Sequence, residues 1–210
     1  MVRYVHAYQK GDFFMGKLSL QAMIEAAIFA AFALVLDLLP SIKVTSAISL
    51  SFAMLPIFVV AFRWGFKASV ASGFIWSLLQ IVTGDANDIL NPLQGIMEYP
   101  VAFSFIGFSG LFRPLVERSC RHDKKGTMTF WICLSVLTGS FARYFWHFVA
   151  GVIFWGSYAP KGQSAFLYSL IMNGGTMIGN AILCAAVAAI LLNAAPQLLT
   201  KYRNPHRHAA

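Results

Sequence analysis

Long, almost uninterrupted apolar runs constrain this chain more than any other feature. Six such runs occur, the shortest roughly 15 residues and the longest about 30, where a lipid hydrocarbon core of ~30 Å needs about 20 apolar residues per helix. Backbone N–H and C=O groups in lipid must be satisfied within the protein, and helices do this one segment at a time. The expected fold class is therefore an all-α integral membrane protein. Charged residues are only 11% of the 210 and hydrophobic residues 58%, against about 25% charged in an average soluble domain. This composition excludes a disordered chain, a coiled coil and a disulfide-stapled secreted module. The net charge of +8 sits in loops flanking the apolar runs, which argues against a nucleic-acid binder.

Hydropathy, Pro/Gly punctuation and charge place six transmembrane helices near 18–39, 46–62, 66–83, 89–112, 128–155 and 164–194. The expected organisation is a cytoplasmic N-terminal segment 1–17, a membrane domain 18–194 and a basic cytoplasmic tail 195–210. Residues 1–17 are mixed and polar and do not read as a cleavable signal peptide. Lys and Arg counts test the arrangement independently, because cytoplasmic segments collect positive charge. Arg3, Lys10, Lys17, Arg63, Lys67, Arg113, Arg118, Arg121, Lys124, Lys125, Lys201, Arg203 and Arg207 are thirteen on one side; Lys43 and Lys161 fall on the other with Asp85 and Asp88. Both termini are expected in the cytoplasm of a multi-pass protein of the cell membrane. Cys120, Cys133 and Cys184 are widely spaced and suggest neither a disulfide framework nor a metal site.

Ionisable groups at membrane depth are costly and mark either a functional site or an ion pair. Glu98 lies in the fourth span, Arg143 and His147 in the fifth, Glu25 near the start of the first and Asp37 at its outer, solvated end. Glu25 reads as a headgroup-facing or bundle-internal contact. Arg143, His147, Gly151 and Trp155 follow one another at i+4 and share one helix face. An alternative that the residues leave open is an Arg143–Glu98 ion pair that ties two helices together, with Trp155 as an interfacial belt residue. Tyr168 and Asn173 in the sixth span fall at a depth similar to His147 and Trp155. Together with Glu98 and Tyr99 they describe a pocket with one carboxylate, aromatic faces and directional hydrogen bonds, suited to a flat, nitrogen-rich organic cation.

The segments IEAAIFAAFALVLDLLP, LQGIMEYPVAF and RYFWHFVAGVIFWGSYAPKGQSAFLYSLIMNG, with the H-x7-W-x12-Y-x4-N spacing of the last two spans, resemble the thiamine-specific substrate-binding (S) components of energy-coupling factor (ECF) transporters. The resemblance runs from about residue 18 to 194. It implies six membrane helices in the S-component fold, no enzymatic activity, no cofactor, and capture of thiamine from outside the cell. By matching position, Glu98 would face the thiamine cation and its aminopyrimidine and Trp155 would stack on the ligand. Tyr99, Arg143, His147, Gly151, Tyr168 and Asn173 would complete the site. Arg143 stands where the family pattern has Lys, and the 1–2 and 3–4 connections, PSIKVTSA and GDANDILNP, lack the pattern's aromatics. The resemblance also implies that Ala27 and Ala31, a small-residue stripe on the first helix, dock on a transmembrane coupling subunit.

No G-x-x-x-x-G-K-[ST] phosphate loop is present, so ATP hydrolysis would come from two ATPase subunits acting with that coupling subunit. No nucleophile motif or metal-ligand cluster is recognisable either. Two other readings remain: an S component for another vitamin or a thiamine precursor, and an autonomous proton-coupled carrier in which Glu98 and His147 relay protons.

Overall fold

A computed structural model describes residues 18–39, 42–43, 49–84 and 89–199. The N-terminal segment 1–17, Asp85, Asp88 and the tail from 200 onward lie outside the described residues. Among the described residues, six helices carry the chain: α1 (Leu20–Asp37), α2 (Leu55–Trp64), α3 (Phe66–Val82), α4 (Pro92–Arg121), α5 (Lys125–Phe154) and α6 (Ala165–Ala194). Between α1 and α2, the strands β1 (Ile42–Lys43) and β2 (Ser49–Leu50) pair antiparallel with Ile42 opposite Leu50. Three of the helices, α1, α4 and α6, are long and apolar enough to cross a membrane.

Two elements differ from the sequence expectation. The second apolar run was expected to be helical from 46, but α2 starts at Leu55 with Pro56 in its first turn. Proline lacks the N–H that an interior helical position would donate, so it favours a helix start, and part of the preceding run forms β2. The fourth helix runs nine residues past its expected end at 112. The added turns (RPLVERSCR) are polar but are tied by Glu117, which pairs with Arg121 at 2.6 Å and Arg113 at 3.9 Å, each four residues away.

Packing follows from residue size. Pro56 to Phe62 on α2 are all buried, as expected of a helix apolar on every side. On α1 the inward stripe is Ala22, Ala26, Ala30 and Ala33, whereas Ala27 and Ala31 lie on the outward face with Ile28 and Phe32. Against α3, α4 approaches backbone to backbone: a Cβ on Gly73 would come 2.2 Å from the Phe103 carbonyl oxygen, and one on Gly107 would come 2.4 Å from Val70. Small hydroxyls bridge the helices, Ser72 donating to the Ala26 carbonyl at 2.7 Å and Ser135 to the Ser109 carbonyl at 2.8 Å.

At the start of α1, Glu25 accepts from Arg63 Nε at 2.5 Å and Nη2 at 3.1 Å, from Trp64 Nε1 at 2.6 Å and from Gln21 Nε2 at 3.1 Å. Arg63 also reaches the Leu198 carbonyl at 3.4 Å. Of the two readings of Glu25, the structure therefore has the contact within the bundle.

Gly107→Ala should lower stability by about 2–3 kcal/mol, because the new methyl overlaps Val70 backbone as well as side chain. Gly126→Ala, where a Cβ meets nothing within 4 Å, should leave the thermal midpoint in detergent unchanged or slightly raised. Equal midpoints for the two variants would mean that α3 and α4 are not in backbone contact.

Candidate functional site

The site is built on an irregularity in α4. Pro100 cannot donate a helical hydrogen bond, and Met97–Val101 widens into one π-helical turn that carries Glu98 and Tyr99. From this turn the Glu98 carboxylate reaches Trp155 at the end of α5. Its Oε1 accepts from Trp155 Nε1 at 2.9 Å and its Oε2 from Gln94 Nε2 at 3.1 Å. Both donors are neutral. No Arg143–Glu98 ion pair forms, so the helix-tying alternative read from the sequence is not what the structure contains.

Arg143 is held differently. Its guanidinium carbon lies 4.1 Å from the ring centroid of Phe103, 4.9 Å from that of Trp76 and 5.5 Å from that of Tyr144, and its Nε donates to His147 Nε2 at 3.3 Å. Among the described residues no carboxylate stands within ion-pair distance of it. Aromatic faces carry the negative end of the ring quadrupole, and a desolvated cation over such a face gains about 2 kcal/mol. Tyr99 stacks on Phe103 at 5.9 Å, and Phe103 meets His147 edge-on at 6.3 Å. Rings from α3, α4 and α5 thus hold the cation, and the acid stays separate from it.

Each expected site residue has a definite place. Glu98 and Trp155 are bonded to each other, Arg143 and His147 likewise, and Tyr99 joins the two groups through Phe103. Gly151 is buried at the α5–α6 contact, where a Cβ would lie 2.3 Å from Ser169 Oγ and 3.1 Å from Asn173 Nδ2. Asn173 donates to the Ser169 carbonyl at 3.2 Å and to its Oγ at 3.1 Å, and Ser169 donates to the Phe148 carbonyl at 2.7 Å. Tyr168 is half-buried one residue before Ser169, and Tyr158 packs on Trp155 at 5.3 Å.

A cavity of about 140 Å³ adjoins the Arg143 end of the stripe, lined by Asp37, Ser51, Met54, Tyr144, Thr176 and Asn180 among others. Asn180 joins three elements there: it accepts from the Ser51 N–H at 2.7 Å and donates to the Tyr144 hydroxyl at 2.8 Å. Asp37 is exposed, as expected, yet also accepts hydrogen bonds from Gln80 and from Ser51 Oγ. Sequence reasoning missed Gln94, Asn180, Trp76 and Phe103. Spacing held a signal for two of them: Gln94 precedes Glu98 by four residues, and Asn180 follows Asn173 by seven, so each shares a face with an expected site residue. Among the described residues no cluster of three or more His, Cys, Asp or Glu side chains could hold a metal ion.

Residues 23–200 match the family model described as Thiamine transporter protein (Thia_YuaJ). The thiamine transporter ThiT of Lacticaseibacillus paracasei is 41% identical over 181 residues, covering 85% of this chain and 90% of that protein. ThiT of Bacillus subtilis is 37% identical over 179 residues, covering 84% and 93%. Among solved structures, ThiT from Listeria monocytogenes superposes with a TM-score of 0.81 at 42% identity, covering 86% of this chain and 97% of that one.

If ring faces carry the guanidinium, removing one should cost more while the cation is present than when it is absent. A double-mutant cycle of Phe103→Leu with Arg143→Met should give a coupling of about 1–2 kcal/mol in unfolding free energy. A coupling near zero would assign Phe103 to ordinary packing.

Proposed function

The chain belongs to the thiamine transporter protein family, a family of membrane proteins with a transport rather than an enzymatic role, and from that premise we propose that it is the thiamine-capturing subunit of an ATP-driven ECF importer. The observation that carries this reading is the state of Glu98: a carboxylate in a helix long and apolar enough to cross a membrane, whose two bonded partners are an indole and an amide, neither of them charged. Such a group attracts a cation of matching shape, and thiamine offers a thiazolium charge beside an aminopyrimidine donor. Glu98 supplies the counter-charge and Trp155 an aromatic surface. Tyr99, His147, Tyr168 and Asn173 add directional contacts, Gly151 lets α6 approach, and Arg143 borders the site.

In this reading six passages cross the cell membrane, with the hairpin and the ten-residue α2 together making one of them. Both termini lie in the cytoplasm, in keeping with the distribution of Lys and Arg. The chain contains no phosphate loop, so energy comes from partner chains: a transmembrane coupling subunit docking on Ala27 and Ala31, and two ATPase subunits. The outward position of those two alanines supports their availability to a neighbour in the bilayer, where small residues permit close helix approach.

Isothermal titration of the purified protein with thiamine is expected to give saturable one-to-one binding. Riboflavin, biotin and hydroxymethylpyrimidine should bind more weakly or not at all, and absence of heat with thiamine would reject the proposal. Glu98→Gln should weaken thiamine binding about 10–100-fold, the usual worth of a charge-assisted contact, while the circular dichroism spectrum stays unchanged. Ala27→Trp should spare binding and block assembly with the coupling subunit. Proteoliposomes holding this chain alone should accumulate no thiamine under a proton gradient; uptake there would favour the autonomous carrier.

A further inference from the structure

Two acids at opposite ends of the bundle are held by the same pair of neutral donors. Glu25 accepts from Gln21, four residues before it on its own helix, and from the indole of Trp64; Glu98 accepts from Gln94, likewise four residues before it, and from the indole of Trp155. The difference is a cation. Glu25 also takes Arg63 at 2.5 Å, whereas among the described residues no Lys, Arg or His lies within ion-pair distance of Glu98. Arg143, the cation on the facing helix, is over the rings of Phe103, Trp76 and Tyr144 instead. Glu25 is therefore an internal example of what this arrangement looks like once a guanidinium has joined it.

Gln94 is placed to do more than fill space. It is fully buried, and its Oε1 accepts the Leu90 N–H at 2.7 Å. That bond fixes the amide: an N–H cannot point at another N–H, so Nε2 must face the carboxylate. Its own backbone N–H is held by the Asn91 side chain at 3.0 Å, the N-cap of α4. The donor aimed at Glu98 is thus anchored by two bonds at the start of α4, one turn before the π-helical turn that carries the acid.

We propose that Gln94 is a positioning residue for the thiamine site: it holds the Glu98 carboxylate in place with an N–H and contributes no positive charge, so that the carboxylate's full charge remains for a cationic ligand. This rests on Glu98 being the counter-charge of the proposed site. It makes the identity of residue 94 a determinant of selectivity for cations over uncharged molecules of the same shape, although Gln94 acts through Glu98 and not by touching the ligand.

The test compares two unbranched replacements of similar length that differ in charge. Gln94→Met removes the donor, and Gln94→Lys adds the ammonium that would give Glu98 an internal partner as Arg63 does for Glu25. With thiamine as titrant, Gln94→Met should bind about tenfold more weakly than wild type and Gln94→Lys at least about 100-fold more weakly, the loss expected when an internal ion pair must be broken to admit the ligand. With deazathiamine, an uncharged isostere that keeps the aminopyrimidine, Gln94→Met should lose distinctly less affinity than it does with thiamine. Equal thiamine affinities for the lysine and methionine variants would overturn the proposal, because a residue that only packs does not distinguish them. Should the lysine variant not fold, the methionine variant decides alone: a parallel loss for thiamine and deazathiamine means packing and overturns the proposal, a distinctly larger loss for thiamine means positioning of charge. Failure of wild type to bind thiamine would reject the function itself and is read separately.

Discussion

The arrangement depends on a half-buried cation and a half-buried anion that do not meet. Arg143 and Glu98 occupy neighbouring helices, and in a medium of low dielectric their attraction would be strong. The protein prevents the pairing by giving each another partner. Rings from three helices surround the guanidinium, and an indole and an amide hold the carboxylate. Had the two paired, a ligand cation would have to displace an internal guanidinium before gaining any contact of its own. Kept apart, the acid offers its charge to whatever enters beside it.

Keeping the two groups apart requires a scaffold that cannot relax toward pairing, and the packing supplies one. Interior packing is dense enough that small shifts meet hard contacts, and here the contact is backbone on backbone where Gly73 and Gly107 join α3 to α4. Trp76 on α3 and Phe103 on α4 meet at 4.6 Å, so the wall of the Arg143 cage is part of that same helix pair. The acid is displaced from the regular helix by the π turn at Met97–Val101. A π turn adds one residue to a helical turn and so rotates the residues after it relative to those before it. Gln94 before the turn and Phe103 after it serve two different charges from one helix.

Much of this was legible in the sequence, and the illegible part has a physical cause. The i+4 spacing of Arg143, His147 and Gly151 identified one face of α5, because helical periodicity fixes direction around an axis. It could not say that Gly151 would be filled from α6 by Ser169 and Asn173, nor that Arg143 would turn to Phe103, since depth and azimuth on one helix do not determine what another presents there. Hydropathy placed most helices within a few residues. It misjudged α2 because an apolar run looks alike as strand or helix over short lengths, and Pro56 inside the run marked the true start. It ended α4 early because RPLVERSCR is polar, whereas helix continuation there depends on Glu117 and its i±4 arginines. Gln94 was overlooked as an uncharged residue in an apolar context, although a glutamine one turn from an acid in an apolar helix is a natural hydrogen-bond partner.

If Glu98 is the counter-charge of the proposed site, holding it ready for a ligand has a cost that the fold must carry. A half-buried carboxylate satisfied by two neutral donors is less favourable than one that also has a guanidinium, and Glu98 and Glu25 represent the two conditions within one chain. The difference is an unfavourable contribution to the stability of the ligand-free protein, offset by packing elsewhere. It returns on binding, since a ligand that meets only the folded state stabilises that state in proportion to the logarithm of its concentration over its dissociation constant. In the proposed reading, affinity and fold stability are therefore coupled at Glu98. A substitution that stabilises the empty protein by supplying an internal cation weakens capture for the same reason, whereas one that improves packing around Gly107 or Ala30 has no such effect, because those positions do not touch the balance of charge.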